Sequence, residues 1–347
     1  MRMIHKSAKV EDASIDFVIP WVDGNDPEWR KRKNAIEGNI ATDTREMRYR
    51  DWGLLRYWFR GVEKFAPWVR TVWFICDQEP PTWLNKDHPK LRIVRHESYL
   101  PVEYRPAFSS HPIELNMYRI EGLSEQFVYF NDDMFILKPL EKTFFFKGGL
   151  PKDSALLNTI PTDHLMRRDT GGRIFTVFLN NASYINRDYN FRECLKKHPL
   201  KWLHPCYGKD LLRNIMLCAW PRLVGTVEHH LPQGYLKKSF EEAWRQDFDI
   251  LDQTSRHHLR DDHDVNQWLI RIRQLMEGRF VVRKPIRNAV YTIGNDNSNI
   301  IDAVSLQRHP VICINDGPMN DNEYFKAKKE IQQAFESILP RTSSFEV

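Results

Sequence analysis

The 347-residue sequence predicts an α/β fold, and three observations carry that prediction. First, β-prone apolar runs recur at 15–22, 69–76, 91–96 and 127–130, with helix-patterned stretches between them, the alternation of strand and helix expected of an α/β sheet. Second, the last of these runs stops abruptly at two adjacent acids, Asp132 and Asp133. In open α/β sheets the C-terminal strand ends form the ligand crevice, so the acids stand where a ligand is expected. Third, neither a G-x-G-x-x-G nor a Walker loop is present, which argues against a dinucleotide-binding dehydrogenase or a P-loop kinase.

Taken in order, residues 1–14 form a polar lead-in. The first strand, Ile15 to Val22, is closed by Asp23-Gly24-Asn25-Asp26-Pro27, a turn with Asp-Gly and Asp-Pro as punctuation. A charged run from Glu28 to about Thr44 predicts a helix start followed by a loop. Leu54, Leu55, Trp58 and Val62 recur at helical spacing, and Arg56 and Arg60 share one face of that helix, with Arg50 just before it. Three guanidiniums so placed can clamp a diphosphate, or they can be a solvated face. A second strand over Val69–Cys76, a short helix over Thr82–Leu84 and a third strand from Leu91 follow. Ser109 or Ser110 caps a helix expected to run to Gly122 and deliver the chain into the strand before Asn131-Asp132-Asp133. Residues 138–200, with Gly-Gly pairs at 148–149 and 171–172, read as an extension or insertion on the acceptor side.

The second half carries one dense polar stretch. His229-His230-Leu-Pro precedes a helix from Lys238 to about Phe248, and Thr254 to Asp264 crowds His, Arg and Asp ahead of another helix, Trp268 to about Met276. Such a cluster can serve proton transfer and anion binding, although each histidine alone is more simply a surface or core residue. Cys313-Ile-Asn-Asp-Gly317 is a further switch from apolar to polar, and an amphipathic helix over 322–339 packs rather than reacts. The division expected is a nucleotide- and metal-binding part over 15–150, an insertion or acceptor-side region over 151–224, and a second part over 225–347 that completes the same site.

Bulk properties narrow the partners. With 51 basic and 46 acidic residues the net charge is only +5, and no long basic run marks a nucleic-acid binder. Five scattered cysteines with no C-x-x-C argue against a disulfide framework or zinc site and for a reducing compartment. With no apolar leader or membrane-length span, the expectation is a cytoplasmic protein, with peripheral association at the inner face of the membrane compatible with its mild positive charge. Two carboxylates held side by side at a strand end are costly unless something positive neutralises them; a divalent cation on a phosphorylated ligand does so, and a solvated Asn-Asp turn is the plainer alternative.

A set of motifs goes further. Trp21-Val-Asp-Gly-Asn-Asp-Pro27, Arg48-Tyr-Arg-Asp51 with Leu55-Arg-Tyr57, Ala66-Pro-Trp-Val-Arg70 and Phe130-Asn-Asp-Asp-Met134 follow one another, as do His230-Leu-Pro232, Thr254-Ser255, Arg260, Asp264-Val-Asn266 and Cys313-Ile-Asn-Asp-Gly317. The chain resembles the Stealth family of sugar-1-phosphate transferases, with all four of that family's blocks in order. The resemblance implies a glycosyltransferase-A-like nucleotide-binding sheet, a UDP-sugar donor, and a glycan or lipid-linked oligosaccharide acceptor whose hydroxyl attacks the phosphorus next to the sugar and releases UMP. It further implies that Asp132, Asp133 and Asp264 belong to the Mg²⁺ or Mn²⁺ site, that Arg50, Arg56 and Arg260 neutralise phosphate oxygens, and that His230 is the base, with neighbouring His229 a competitor. Trp21, Asp23, Gly24, Asp51, Asn131 and Asn315 would bind substrate. Two departures from the family pattern, Ile-Pro before Trp21 and Cys-Asp-Gln-Glu-Pro at 76–80, both touch the donor pocket. The competing readings are a conventional metal-dependent glycosyltransferase releasing UDP and a non-catalytic sugar-nucleotide or glycan binder.

Overall fold

The computed structural model describes residues 14–38, 50–161 and 173–347. Its strands are β1 (Ile15–Pro20), β2 (Val72–Ile75), β3 (Leu91–Val94), β4 (Gln126–Tyr129), β5 (Met134–Ile136), β6 (Phe146–Lys147), β7 (Leu150–Asp153), β8 (Gln233–Leu236), β9 (Val281–Val282), β10 (Val290–Thr292) and β11 (Val311–Asn315). The central sheet has the order β3-β2-β1-β4-β8, parallel except for the antiparallel β4–β8 edge. Successive residues of β1 serve opposite faces: Phe17 and Ile19 join one core with Phe74, Val128 and Phe130, while Val18 joins the other with Ile75, Phe127 and Tyr235. Both faces are therefore covered, which is why the strands read as continuous apolar runs rather than alternating ones.

Strand order reverses at β1, with β2 on one side and β4 on the other. The C-terminal ends of β1 and β4 lie side by side there, at the kind of position where such sheets bind ligands. The rest of the fold frames it. The helix Leu55–Phe65 packs on β5, β5 pairs antiparallel with β11, and Ile314 donates its backbone N–H to the Asp133 carbonyl at 2.9 Å. Gly317 permits the return of this loop, since a Cβ there would fall 2.0 Å from the Ile293 carbonyl.

Several local expectations change. The expected helix over 109–122 ends early, as Ser110–Leu115 followed by a 3-10 turn at Met117–Arg119. The Asn116 side chain donates to the Pro112 carbonyl at 2.8 Å and the Ser255 hydroxyl at 3.0 Å, and this local competition with the helix stops it. Thr82–Leu84 is a turn, because Leu84 bridges to Glu346 instead of continuing a helix. The helix begun at Pro27 runs to Glu37; the loop expected beyond it and the Gly171-Gly172 turn lie outside the described residues. The closing helix spans Asp321–Ile338 behind a capping box of Asn320 and Glu323. All five cysteines are free thiols. Among the described residues no helix is long and apolar enough to cross a membrane.

Two buried charge networks hold the layers in register. Asp16 accepts from Arg70 and from Trp73 Nε1 at 2.8 Å and from the Ser124 amide at 2.9 Å, joining β1, β2 and the approach to β4. Arg271, only 1% exposed, donates to Asp153 at 2.8 and 2.9 Å and to Glu228 at 2.8 Å. Replacing Arg271 by Met strands two buried carboxylates. The expected loss is about 3–5 kcal/mol, read as a lower urea midpoint at unchanged slope. An unchanged midpoint would show that the carboxylates find other partners.

Candidate active site

The loop after β1 is locked to the end of β2 by one side chain. Gln78 accepts from the Asp23 amide at 2.7 Å and donates to the Asp23 carbonyl at 2.8 Å and the Asp26 carboxylate at 2.9 Å. Asp26 in turn caps the helix Pro27–Glu37. Trp21 lies against Phe74 with ring centroids 5.6 Å apart. On the other side of the switch point, β4 delivers Asn131, Asp132 and Asp133. Between them opens a cleft of about 550 Å³ whose walls include Trp21, Asp23, Arg50, Asp51 and Trp52, with Asn131, Asp132, Asp133, His230, Arg260 and Asn315 on its other sides.

At its floor, His230 Nε2 stands 3.2 Å from Asp133 Oδ2 and 3.3 Å from Asn131 Nδ2, while Asn131 Oδ1 is held by the Tyr129 hydroxyl at 2.5 Å. Burial pulls the His230 pKa down, but the charge and hydrogen bond of Asp133 more than reverse this, leaving it raised. His229 points elsewhere. Its Nε2 meets the Ser154 hydroxyl at 3.2 Å outside the cleft lining, and burial lowers its pKa to about 4. Of the two neighbours, only His230 faces the cleft.

The acidic pair presents an unanswered charge. Desolvation in the cleft, together with the charge of Asp133, raises the Asp132 pKa to about 7, although water in the open cleft screens part of that repulsion. Asp133 Oδ1 is buried with no nitrogen or oxygen donor. Its other near partner is Cys313, whose thiol burial and Asp133 push well above the usual range; Asp133, His230 and Cys313 offer ligand atoms all within 4.8 Å of one another. A protonated thiol is a weak donor, so the orphaned oxygen and its paired carboxylate fit a hard divalent cation with oxygen ligands.

Other expected residues go elsewhere. Arg56 is exposed and outside the cleft lining, its guanidinium 5.1 Å from the Trp83 ring centre, and Arg60 is buried against Glu346, Glu336 and the Leu339 carbonyl. The three-arginine clamp is therefore not assembled: helical periodicity turned Arg56 onto Trp83 and Arg60 into the C-terminal tail, and of the three only Arg50 reaches the cleft, 3.7 Å from Asp316. Asp264 does not line the cleft either. It is fully buried, accepting from His111 at 2.8 Å, His257 at 2.7 Å and the Asp261 amide at 3.0 Å. Burial would raise its pKa, but these hydrogen bonds lower it instead. These donors hold it outside the cleft, where with His257 and Asp261 it offers ligand atoms all within 4.8 Å of one another, a second group able to hold a cation apart from Asp132 and Asp133. Gly24 is buried outside the lining, with its carbonyl accepting from Arg30 Nε. Conversely Asp77, His96, Phe108, Ser109 and Asp316 line the cleft without having been named as site residues; for Asp77 and Asp316 the signal was their place in the 76–80 and 313–317 runs, just past β2 and beside Asn315.

Comparison with known proteins gives this geometry a context. Residues 13–41 match the family region described as Stealth protein CR1, conserved region 1, and residues 48–153 match Stealth protein CR2, conserved region 2. A capsular polysaccharide phosphotransferase of Streptococcus pneumoniae, WcwK, is 39% identical over 336 residues, 96% of this chain and 98% of its own. The chain belongs to the Stealth family. An exopolysaccharide phosphotransferase of Lactiplantibacillus plantarum is 37% identical over 339 residues, covering 96% of each chain, and a receptor polysaccharide phosphotransferase of Streptococcus oralis is 35% identical over 339 residues, 96% of this chain and 99% of its own. This Stealth protein is thus an enzyme of the phosphotransferase type. The CR1 match contains Trp21 and Asp23; the CR2 match contains Arg50, Asp51 and the acidic pair, so both regions converge on one cleft.

Mg²⁺ or Mn²⁺ should raise the melting temperature of the wild-type enzyme, since a cation at 100 times its Kd adds about 2.7 kcal/mol. Asp133→Asn should lose that response. Asp264→Asn should lower the baseline yet keep the response; a lost response there would return Asp264 to the cation site.

Proposed function

We propose that the enzyme transfers a sugar-1-phosphate from a UDP-sugar, a hexose or N-acetylhexosamine, to a hydroxyl of a glycan acceptor in capsule or cell-surface polysaccharide synthesis. The observation that carries this reading is the Asp133–His230 pair on the floor of a cleft whose other walls supply Arg50 and Arg260. The relatives' names, all polysaccharide phosphotransferases, support the same class. In this reading the sheet is of the glycosyltransferase-A type, and the part beyond residue 225 completes the site begun by residues 15–150.

The acceptor oxygen forms a bond to the phosphorus that bears the sugar, the bond from that phosphorus to the bridging oxygen breaks, and the bridging oxygen leaves on UMP. His230 takes the acceptor proton, and Asp133, 3.2 Å from Nε2, stabilises the imidazolium that results. Arg50 and Arg260 neutralise phosphate oxygens, which matters more here than covalent help because phosphoryl transfer depends on positioning and charge. Asp132 and Asp133 would hold a divalent cation, which when bound supplies Lewis-acid stabilisation of the diphosphate. Trp21 and Trp52 offer flat apolar walls for the nucleotide, with Asp23, Asp51 and Asn315 as polar contacts.

Product identity tests the reading. Incubated with a panel of UDP-sugars, Mg²⁺ or Mn²⁺ and a glycan acceptor fraction, the enzyme should release UMP in an acceptor-dependent way, whereas UDP would make it a conventional glycosyltransferase. His230→Ala should lower kcat by about 10²–10⁴-fold with little change in donor KM. His229→Ala and Arg56→Ala should stay within a few-fold of wild type. A His229→Ala variant as crippled as His230→Ala would move the base by one residue.

A further inference from the structure

Most large apolar side chains exposed on the described surface stand alone, as Val102, Phe248, Leu306 and Phe325 do. Singles of this kind are ordinary on a folded surface. One group is different. Leu212, Met216 and Trp220 are 65%, 68% and 61% exposed, and Ile215 is exposed with them. Their spacing puts all four on one face of the helix Asp210–Cys218 and the turn that continues it, in which the Trp220 amide donates to the Leu217 carbonyl at 3.1 Å.

The opposite face is firmly mounted. Asn214 is fully buried, accepts from the Leu157 amide at 2.8 Å and donates to the carbonyls of Ala155 and Trp202, each at 2.7 Å. Asp210 pairs with Arg287 at 2.5 Å. The apolar face is thus held outward by a rigid seat, not left over from a frayed end.

Charge marks the same place. Residues 192–222 contain seven basic residues against two acids, Glu193 and Asp210; from the chain's 51 and 46 that leaves 44 of each, so the whole formal net charge of +5 belongs to this segment. Lys196, Lys197 and Lys209 are exposed, and Arg192 donates to the Ala219 carbonyl at 3.3 Å, next to Trp220. An apolar helical face in a basic segment, with Lys209 at the helix start, Arg192 beside its far end and tryptophan at its edge, is the make-up of a helix that lies in the headgroup plane of an anionic bilayer. A second copy of the chain on this face would bring the same cations against one another, which disfavours self-association as its use.

We propose that the helix Asp210–Cys218, together with Trp220, docks the protein onto the surface of an anionic lipid bilayer, apolar face down. The contact is in the plane of the membrane, and it stands independently of which donor and acceptor the cleft takes.

The test is co-sedimentation of the full chain with vesicles of phosphatidylglycerol and phosphatidylcholine, and with phosphatidylcholine alone. Wild type should pellet with the anionic vesicles, less so as salt rises, and stay largely in the supernatant with the neutral ones. Ile215→Glu with Met216→Glu should weaken binding by at least about tenfold. Lys196→Glu with Lys197→Glu should weaken it by a smaller factor and flatten the salt dependence. Both double variants should keep the wild-type melting temperature, because the side chains are exposed. Wild type that ignores anionic vesicles overturns the proposal, as does an Ile215→Glu, Met216→Glu variant that pellets like wild type. A lipid-free dimer that this same variant dissociates also overturns it, making the face a contact between copies.

Discussion

Two like charges held side by side set the terms for the rest of this structure. Desolvation first and the charge of Asp133 second push the Asp132 pKa up to about 7, so the two acids ionise together at a cost that water at the open side of the cleft reduces. The fold holds them there regardless. Parallel pairing of β1 with β4 places the pair at the switch point, and the Ile314–Asp133 backbone bond ties it to β11. His230, carried in just before the antiparallel edge strand β8, answers part of the charge from one side. What it leaves unanswered is the buried Oδ1 of Asp133, which meets no nitrogen or oxygen donor and is the feature on which the proposed cation site rests. Strain of this kind persists only where surrounding structure over-determines it. The Gln78 lock on the first loop and the Asp16 network beneath it supply that rigidity.

The parts of this arrangement legible in the sequence are those governed by local chemistry. Runs of β-prone residues ending in polar pairs located β1 and β4, and with them Trp21, Asp23 and the acidic pair, because a strand end is a property of a few consecutive residues. Residues whose roles depend on distant partners were not legible. Arg56 shares a helix with core residues, but which way its face points depends on the C-terminal tail that engages Arg60 with Glu346, 286 residues away. Asp264 carries the same side chain as Asp133, yet His111, 153 residues away, together with neighbouring His257 holds it outside the cleft lining. The helix after Ser109 stops at Asn116 through a bond to Ser255, 139 residues on, which no periodicity could announce. The choice between His229 and His230 likewise rests on which side of one short segment faces the cleft. Membership of the Stealth family supplied the reaction class that local pattern could not reach, and the geometry then sorted the family-like residues into those that meet and those that do not.

Seen as a whole, the molecule separates chemistry from address. The cleft concentrates opposite charges, carboxylates against Arg50 and Arg260, around a point where phosphate charge is to be moved. Outside residues 192–222 the chain's charge balances to zero, and that basic segment contains the exposed apolar helix face that Asn214 pins to the body. The two proposals make different demands, since a phosphotransfer site needs close positioning while a membrane contact needs only area and sign.

The central claim is that the cleft moves phosphorus together with sugar. It is tested most directly by following the phosphorus itself. With a UDP-sugar radiolabelled in the phosphorus next to the sugar, the account predicts label in the acceptor glycan in a one-to-one ratio with transferred sugar, and an unlabelled UMP product. Label retained in UDP, with unlabelled sugar in the glycan, would contradict it, leaving Asp132 and Asp133 as a cation site serving ordinary glycosyl transfer.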